Sequence, residues 1–244
     1  MSSSRAETLE QLARLCRTGR DTSALPATES SGWSQLDAVL PGNGWQVGTL
    51  VELMPVTMGI GELRFVLPTL AKLSQGEHHI AFVSPPYIPF APALVRHSLR
   101  LERLLVIDAR SSEDTLWAFE QTLRCKSFGA VVAWCANAKD REIRRLQLAA
   151  ESGRSIGFLF LPPSAALAPS PAAVRLRMQA NENGLAIDVL KCRGTRSGMS
   201  VVVNEKDPAA EKMRTSPTHE HARAAVKTKG EEIPSADLPL SSSL

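Results

Sequence analysis

The sequence contains few residues that could build a metal site or a disulfide scaffold. Its cysteines number only four and are scattered through the chain, at Cys16, Cys125, Cys135 and Cys192. None belongs to a C-x-x-C pair, and no histidine stands at metal-ligand spacing from any of them. Disulfide scaffolds and zinc sites need paired cysteines, whereas cytoplasmic proteins keep scattered cysteines reduced. We therefore expect no disulfide scaffold, no metal and reduced thiols.

Long apolar runs are also missing, and the net charge is small. No stretch approaches the roughly 18 consecutive apolar residues of a membrane-spanning helix, and segment 1–16 lacks the apolar centre of a signal peptide. The formal net charge is +3 and charged residues make up 22% of the chain. That mildly basic balance permits a nucleic-acid partner but does not indicate one. The composition predicts a cytoplasmic protein that does not span a membrane.

The 244 residues divide by composition into three regions. Residues 1–32 contain a leucine-bearing helix and a polar linker, and residues 33–203 are long enough for one domain with a sizeable core. Residues 204–244 contain no aromatic side chain and many charged, proline and serine residues. Such a segment cannot bury enough apolar surface to offset its ordering entropy. We predict a core domain between an N-terminal helix and a disordered tail.

The region 33–203 alternates between strand-like and helix-like patterns. Apolar runs without alternation predict strands that are covered on both faces, at 48–53, 79–84, 103–108, 129–134 and 155–160. Helical patterns fill the gaps, at about 61–75, 92–99, 112–126 and 139–152. Three closing strands follow, in "AAVRLRMQA", "GLAIDVLKC" and "MSVVVN". This order predicts an α/β fold with a mainly parallel sheet sandwiched by helices and an antiparallel addition at one edge.

Three leucines give the N-terminal helix an apolar side. Leu9, Leu12 and Leu15 recur at helical spacing within "AETLEQLARLCRTG". In one interpretation this helix packs on its own domain. In the other it is a peptide anchor that docks on another subunit or protein, and an amphipathic helix on a linker suits both.

A strand, a glycine-containing loop and a helix follow one another in "VELMPVTMGIGELRFVLPTLAKL", which is the outline of a phosphate-binding loop. The functional loop reads GxxxxGK[ST], and its lysine and hydroxyl contact phosphate and magnesium. Here the corresponding stretch begins at Met54 and contains Gly59, with Ile60 at the lysine position and Gly61 at the hydroxyl position. Glycine still permits the tight turn. The loop is predicted to be a degenerate connection that binds no nucleotide.

The acidic residues of a nucleotide-hydrolysing site are absent as well. A recombinase-type ATPase needs one carboxylate after the second strand to activate water and another near the end of the fourth to hold magnesium. These positions carry Pro86 and Trp134. With lysine, hydroxyl and both carboxylates missing, we expect neither catalysis nor a cofactor.

Basic residues gather in the C-terminal strands and the turn between them, at Arg175, Arg177, Lys191, Arg193 and Arg196. Such a cluster could contact a phosphate backbone or an acidic protein face. A solvated edge strand that is protected by its charge is an equally good interpretation.

The segments in their order resemble the ImuA family of bacterial translesion-synthesis cassettes. "SGWSQLDAVLPGNGWQVGTLVELMPVTMGIGELRFVLPTLAKL" is similar to the beginning of the RecA core, with a proline and "GIGELR" in place of the lysine motif. Other segments that fit the family are "SPPYIPFAPAL", "LLVIDARSSEDTLWAFEQTLR", "GAVVAW", "REIRRLQLAAESG", "GFLFLPP", "SPAAVRLRM" and "LKCRG". The resemblance covers residues 33–203 and implies a RecA-like core.

This resemblance implies an accessory role in DNA damage tolerance. Family members are induced in the SOS response, associate with ImuB and an error-prone C-family DNA polymerase, and engage RecA. The N-terminal helix of RecA docks on the neighbouring subunit, which implies a protein-binding role for Leu9, Leu12 and Leu15. The loops that contact DNA in RecA look short here, so any DNA contact is expected to be indirect.

A second resemblance keeps an alternative open. "GAVVAWC" and "GFLFLPP" also fit SulA, the SOS inhibitor of cell division that blocks FtsZ assembly. The expected function is therefore a non-catalytic adaptor that links RecA with ImuB and its polymerase. The alternative is a SulA-like inhibitor that binds FtsZ.

Overall fold

The computed structural model describes residues 2–18, 27–109, 111–194 and 198–204. Within them the α-helices are α1 (Ser2–Thr18), α2 (Ser34–Asp37), α3 (Glu62–Gln75), α4 (Ala91–Arg96), α5 (Ser112–Arg124) and α6 (Asp140–Gly153). Short 3-10 turns lie at Leu101–Arg103 and Pro163–Leu167. Apart from Asn204, the tail predicted at 204–244 lies outside the described residues. None of the helices in the described part of the chain has the length and apolar character that crossing a bilayer requires.

The strands form one large sheet and one small one. They are β1 (Thr28–Glu29), β2 (Trp45–Gln46), β3 (Leu50–Pro55), β4 (His79–Val83), β5 (Leu104–Ile107), β6 (Phe128–Trp134), β7 (Ile156–Phe160), β8 (Val174–Asn181), β9 (Gly184–Cys192) and β10 (Met199–Val203). β1 and β2 pair with each other. The other eight strands form a sheet in the order β10-β9-β8-β3-β7-β6-β4-β5.

The large sheet is mainly parallel, as the sequence predicts. β3 to β7 are all parallel to their neighbours, and β8 joins the same parallel set beside β3. β9 and β10 then pair antiparallel at the edge. The prediction of an α/β sheet flanked by helices and closed by antiparallel strands is confirmed at this level.

Two apolar layers lie on opposite faces of the sheet. In β3, Val51 and Leu53 face one layer, which includes Phe65 and Leu70 of α3. Leu50 and Met54 alternate toward the other layer, to which α1, α5 and α6 contribute. Because both faces are covered, every residue of β3 is buried, which explains its continuous apolar run.

Local signals set the ends of the predicted helices. The Ser111 hydroxyl accepts the Asp114 backbone N–H and begins α5, as a serine before a helix does. The helix expected at 92–99 is shorter, because α4 ends at Arg96 and Ser98 adopts a left-handed φ of 62°. At the end of α6, Arg154 adopts a left-handed φ of 53°.

A disulfide joins α1 to the rest of the fold. Cys16 and Cys125 are bonded, although 109 residues separate them in sequence, because α1 packs against α5 and Cys125 follows the last residue of α5. Arg5 adds an ion pair with Asp114, its Nε lying 2.6 Å from the carboxylate. The expectation of reduced cysteines is wrong for this pair, whose proximity no sequence spacing reveals. Cys135 and Cys192 are buried free thiols.

Candidate functional site

The carboxyl ends of the parallel strands gather several loops at one edge of the sheet. Ligands bind at this edge in doubly wound folds, because loops from different strands meet there. Three predicted positions of a nucleotide site lie at this edge. The predicted phosphate loop follows β3, Pro86 follows β4, and Trp134 is the last residue of β6, and all three strands belong to the parallel set. This edge is therefore the candidate site.

The connection between β3 and α3, which the sequence predicts to be a degenerate phosphate loop, turns at two glycines. Gly59 and Gly61 have φ values of 83° and 93°, in a region that a residue with a Cβ adopts only under strain. Gly61 immediately precedes α3. Met54 lies inside β3 and is fully buried, so the loop itself begins after Pro55.

A side-chain carboxylate binds the backbone of this loop. Both carboxylate oxygens of Glu62 accept the Gly59 backbone N–H, each at 3.1 Å. In nucleotide-binding proteins such N–H groups donate to the phosphate. Glu62 is the first residue of α3, where negative charge is favoured by the helix dipole. The same charge repels a phosphate group from this position.

Apolar side chains fill the other nucleotide positions. Ile60, at the lysine position, is partly buried and packs against the core. Trp134, at the end of β6, stacks on Phe160 with ring centroids 5.2 Å apart. It also meets Phe82 edge-on at 5.7 Å. These rings stabilise the ends of three strands and offer magnesium no oxygen ligand.

Five exposed apolar side chains lie on the loops that follow β3 and β4 at this edge, and we call them the edge surface. Val56 and Met58 lie on the loop after β3, while Tyr87, Ile88 and Phe90 lie on the loop after β4. Ile88 is 95% exposed. The two loops lie at the same edge of the sheet, but β7 and β6 separate the strands that they follow. Exposed apolar side chains that cluster on one loop, as they do after β4, often mark a surface that binds another protein.

The second of these loops is stiffened by its prolines. Pro85, Pro86 and Pro89 interrupt the sequence "SPPYIPF", and each fixes its own φ and removes a backbone donor. Pro86 itself is exposed. Our sequence prediction missed this surface, although an apolar run broken by prolines, outside any strand or helix, was a signal available in the sequence.

The three leucines of α1 do not form a free docking face. Leu12 is only 4% exposed and belongs to the core layer beneath α5. Leu15 packs against the same layer, and its carbonyl accepts the Ser127 hydroxyl at 3.1 Å. Of the three, Leu9 alone is open to solvent, at 46% exposure. The hypothesis that all three bind another protein therefore has to be corrected, because α1 uses two of them to pack on its own domain.

The basic residues of the C-terminal strands do not form one patch either. Arg175 is buried, and Arg177 pairs with Asp188 on the neighbouring strand at 2.8 Å. The hydrogen bond from the Ser200 hydroxyl lowers the pKa of the Asp188 carboxyl below its ordinary value, and Arg177 lowers it further. Lys191 donates to a backbone carbonyl, Arg193 is exposed, and Arg196 lies outside the described residues. The predicted set therefore does not present all its members on one surface: Arg175 and Lys191 are cross-strand neighbours, but Arg175 is buried and Arg177 is paired with Asp188.

Glu52 and Arg175 form a buried ion pair that the sequence analysis missed. They are direct neighbours on β3 and β8, and Arg175 Nε donates to Glu52 Oε2 at 2.7 Å. Their side chains are 1% and 7% exposed. The available signal was the acidic residue inside "LVELMP", since a carboxylate within a doubly covered strand requires a partner.

Comparison with known proteins relates the central part of the chain to SulA. The family model described as "Cell division inhibitor SulA" matches residues 55–157. The cell division inhibitor SulA of Photorhabdus laumondii is 27% identical over 112 residues, which cover 46% of this chain and 63% of that relative. The crystal structure of SulA from Pseudomonas aeruginosa superimposes with a TM-score of 0.40 and 22% identity, covering 46% of this chain and 97% of that one.

The similarity is confined to part of the fold. Residues 55–157 include the degenerate loop and all five residues of the edge surface. The three strands β8, β9 and β10 lie outside the matched residues. Between residues 55 and 157, the chain is therefore similar to the SulA family of cell division inhibitors.

Proposed function

We propose that this protein is a non-catalytic member of the SOS response that acts by binding another protein through its edge surface. The observation that carries this proposal is that apolar and acidic side chains occupy the positions of a nucleotide site at the carboxyl edge of the sheet. Where a nucleotide site needs positive charge and oxygen ligands, the chain presents Ile60, the Glu62 carboxylate and Trp134. Beside them it exposes five apolar side chains.

The physical argument against phosphoryl transfer is electrostatic. Such a reaction depends on positive groups and magnesium that stabilise the charge on the transferred phosphoryl group. The loop contributes backbone N–H groups, and one of them, that of Gly59, is already bound to Glu62. An ATP titration in the presence of Mg²⁺ is expected to leave the Gly59 amide resonance unmoved. A saturable shift of that resonance would refute the non-catalytic proposal.

The first candidate role is that of an accessory protein in translesion DNA synthesis. In this role the chain links RecA with ImuB and an error-prone C-family DNA polymerase. Supporting it are the ImuA-like order of segments over residues 33–203 and the strands β8 to β10, which extend the sheet beyond the SulA-like residues. An adaptor that binds several proteins benefits from this additional surface.

The second candidate role is inhibition of cell division through FtsZ. Its support is the match of residues 55–157 to SulA, because that segment carries the whole edge surface. The match to the Photorhabdus relative spans less than two thirds of that relative's length. Both candidate roles use the same surface and differ in the partner.

A retention experiment separates the two roles. The full-length protein is immobilised and offered purified RecA, ImuB and FtsZ one at a time, with an unrelated protein of similar size as control. Retention of RecA or ImuB supports the accessory role, and retention of FtsZ alone supports the inhibitor role. Retention of none of the three would contradict both.

A further inference from the structure

The helix α1 lies alongside α5 and runs in the same direction. Near the beginning of both helices, Arg5 Nε is 2.6 Å from the Asp114 carboxylate, and near their ends Cys16 is bonded to Cys125. Eleven residues separate the two contacts along either segment of the chain, so the helices stay side by side for about three turns. The disulfide therefore fixes the C-terminal end of α1, and Arg5 fixes the N-terminal end.

The non-covalent contacts of α1 bury little of the helix. Among the α1 side chains that the structure describes, Leu12 alone is buried. Arg5 lies over the Trp117 ring, 5.3 Å from its centroid, beside a cavity of about 110 Å³ that α6 also lines. A void at a helix interface deprives the atoms that line it of packing contacts. The interface of α1 with its neighbours is therefore incompletely filled at this end.

The helix α1 also has little stability of its own. It has 17 residues and no acidic residue in its first turn, where negative charge stabilises a helix. Isolated helices shorter than about 12–15 residues are marginal in water, and most helical stability in proteins comes from tertiary packing. Since the packing of α1 is sparse, we infer that its position depends on the covalent bond to Cys125.

The two cysteines of this disulfide differ in their access to solvent. Cys16 is exposed, whereas Cys125 is buried. Thiol–disulfide exchange begins when a thiolate attacks one of the two sulfur atoms, and exposed disulfides are the labile or regulatory ones. The composition predicts a cytoplasmic protein, and disulfides in that compartment are usually transient and redox-sensing. A reductant can therefore attack the Cys16 sulfur while the protein stays folded.

We propose that the Cys16–Cys125 disulfide is a redox latch, which holds α1 on α5 when oxidised and releases α1 when a dithiol reduces it. A thiolate of the dithiol attacks Cys16 Sγ, the disulfide bond breaks, and Cys125 Sγ leaves as a thiolate that takes up a proton. The second thiol of the reductant loses its proton, displaces Cys16 Sγ and closes the reductant's own disulfide. The protein gains two electrons and ends with two thiols.

Release of α1 changes which apolar side chains are accessible. In the oxidised protein Leu12 is covered, so α1 cannot present its leucines together. In the reduced protein Leu9, Leu12 and Leu15 become accessible on one side of α1, as a helix that docks on another protein requires. The latch is separate from the edge surface, so its failure would leave the proposed function unaffected.

Hydrogen exchange of the full-length protein, measured by mass spectrometry before and after reduction with dithiothreitol, tests the latch. The mass identifies the redox state, because reduction adds two hydrogen atoms. Without denaturant, dithiothreitol is expected to reduce the disulfide and to raise the exchange rate of the α1 amides about thirtyfold or more, the factor that loss of a disulfide typically brings. The amides of β3 and β6, inside the sheet, are expected to stay protected.

Two serine variants separate this disulfide from the other thiols. Cys16→Ser is expected to show fast exchange of the α1 amides without any reductant. Cys135→Ser replaces a buried thiol outside the disulfide and is expected to keep slow α1 exchange until dithiothreitol is added. The proposal is overturned if dithiothreitol reduces the disulfide only in denaturant, if α1 exchanges at the same rate in both redox states, or if β3 and β6 lose protection together with α1.

Discussion

Replacing Arg175 with methionine is expected to destabilise the protein strongly. The substitution leaves the Glu52 carboxylate, 1% exposed, without its cationic partner and with the Ser170 hydroxyl as its remaining donor. Breaking a buried ion pair by removing one partner typically costs about 3–5 kcal/mol, because the other charge stays buried and uncompensated. Both residues line a cavity, so water reaches the carboxylate in part. We therefore expect a loss near the lower end, about 3 kcal/mol.

A double variant distinguishes charge burial from loss of packing. In Glu52→Leu/Arg175→Met no charge is left unpaired, and replacing a buried pair with apolar residues is often close to neutral. The Ala165 carbonyl still loses a donor, which costs about 1 kcal/mol. The double variant should thus be more stable than Arg175→Met alone by about 2 kcal/mol.

Urea unfolding followed by tryptophan fluorescence measures both effects as changes in the free energy of unfolding. Arg177→Met serves as control, because its ion pair with Asp188 lies at the surface and contributes about 1 kcal/mol or less. The reasoning is refuted if Arg175→Met loses less than about 1 kcal/mol, or if the double variant is less stable than the single one.

Three further predictions concern α1, its disulfide and a partly buried histidine. Leu12→Ala should lower the free energy of unfolding by about 2–4 kcal/mol, whereas Leu9→Ala should change it by less than about 0.5 kcal/mol; equal effects would contradict the packing of α1 on its own domain. Cys16→Ser should lower the free energy of unfolding by about 2–4 kcal/mol under oxidising conditions and change it little in reductant, where the disulfide is absent. An equal loss in reductant would contradict the pairing of Cys16 with Cys125. Burial lowers the pKa of His79 in the folded protein below its ordinary value of 6.5. As the pH falls, the unfolded chain therefore binds a proton at this residue before the folded chain does, and the free energy of unfolding decreases below about pH 6.5. In urea unfolding at several pH values, His79→Phe should reduce that fall; an unchanged pH profile would exclude this residue as a cause.

Much of the fold could be predicted from the sequence because its strands are buried on both faces. The uninterrupted apolar runs of β3, β4, β6 and β7 distinguish such strands from amphipathic ones, and helices of ordinary length separate them. The order of the strands was not predictable in the same way. An apolar run does not specify its neighbour, so nothing in the sequence indicated that β8 lies parallel to β3.

The site was predictable only where a motif fixed it. The glycine spacing predicted a tight turn before α3, and Gly59 and Gly61 adopt left-handed φ values there. The structure adds that the Glu62 carboxylate accepts the Gly59 backbone N–H. The interpretation of this turn as a degenerate phosphate loop stays a prediction. The burial of one basic residue, Arg175, was not predictable, because Arg175 is held in the interior by Glu52, which is distant in sequence. Interactions between residues far apart in the chain leave no local pattern, and the disulfide was missed for the same reason.

The central claim is that the edge surface binds a protein partner, and one comparison tests it most directly. The partner is whichever of RecA, ImuB and FtsZ is retained, and its dissociation constant is measured with the wild-type protein and with the triple variant Tyr87→Ser/Ile88→Ser/Phe90→Ser. Leu148→Ser serves as control, because Leu148 is an exposed apolar residue of α6. Removing a cluster of interface anchors typically costs at least about 2 kcal/mol. We expect binding to weaken about thirtyfold or more in the triple variant and to stay unchanged in the control. Equal affinity for the wild-type protein and the triple variant, with both folded, would contradict the claim.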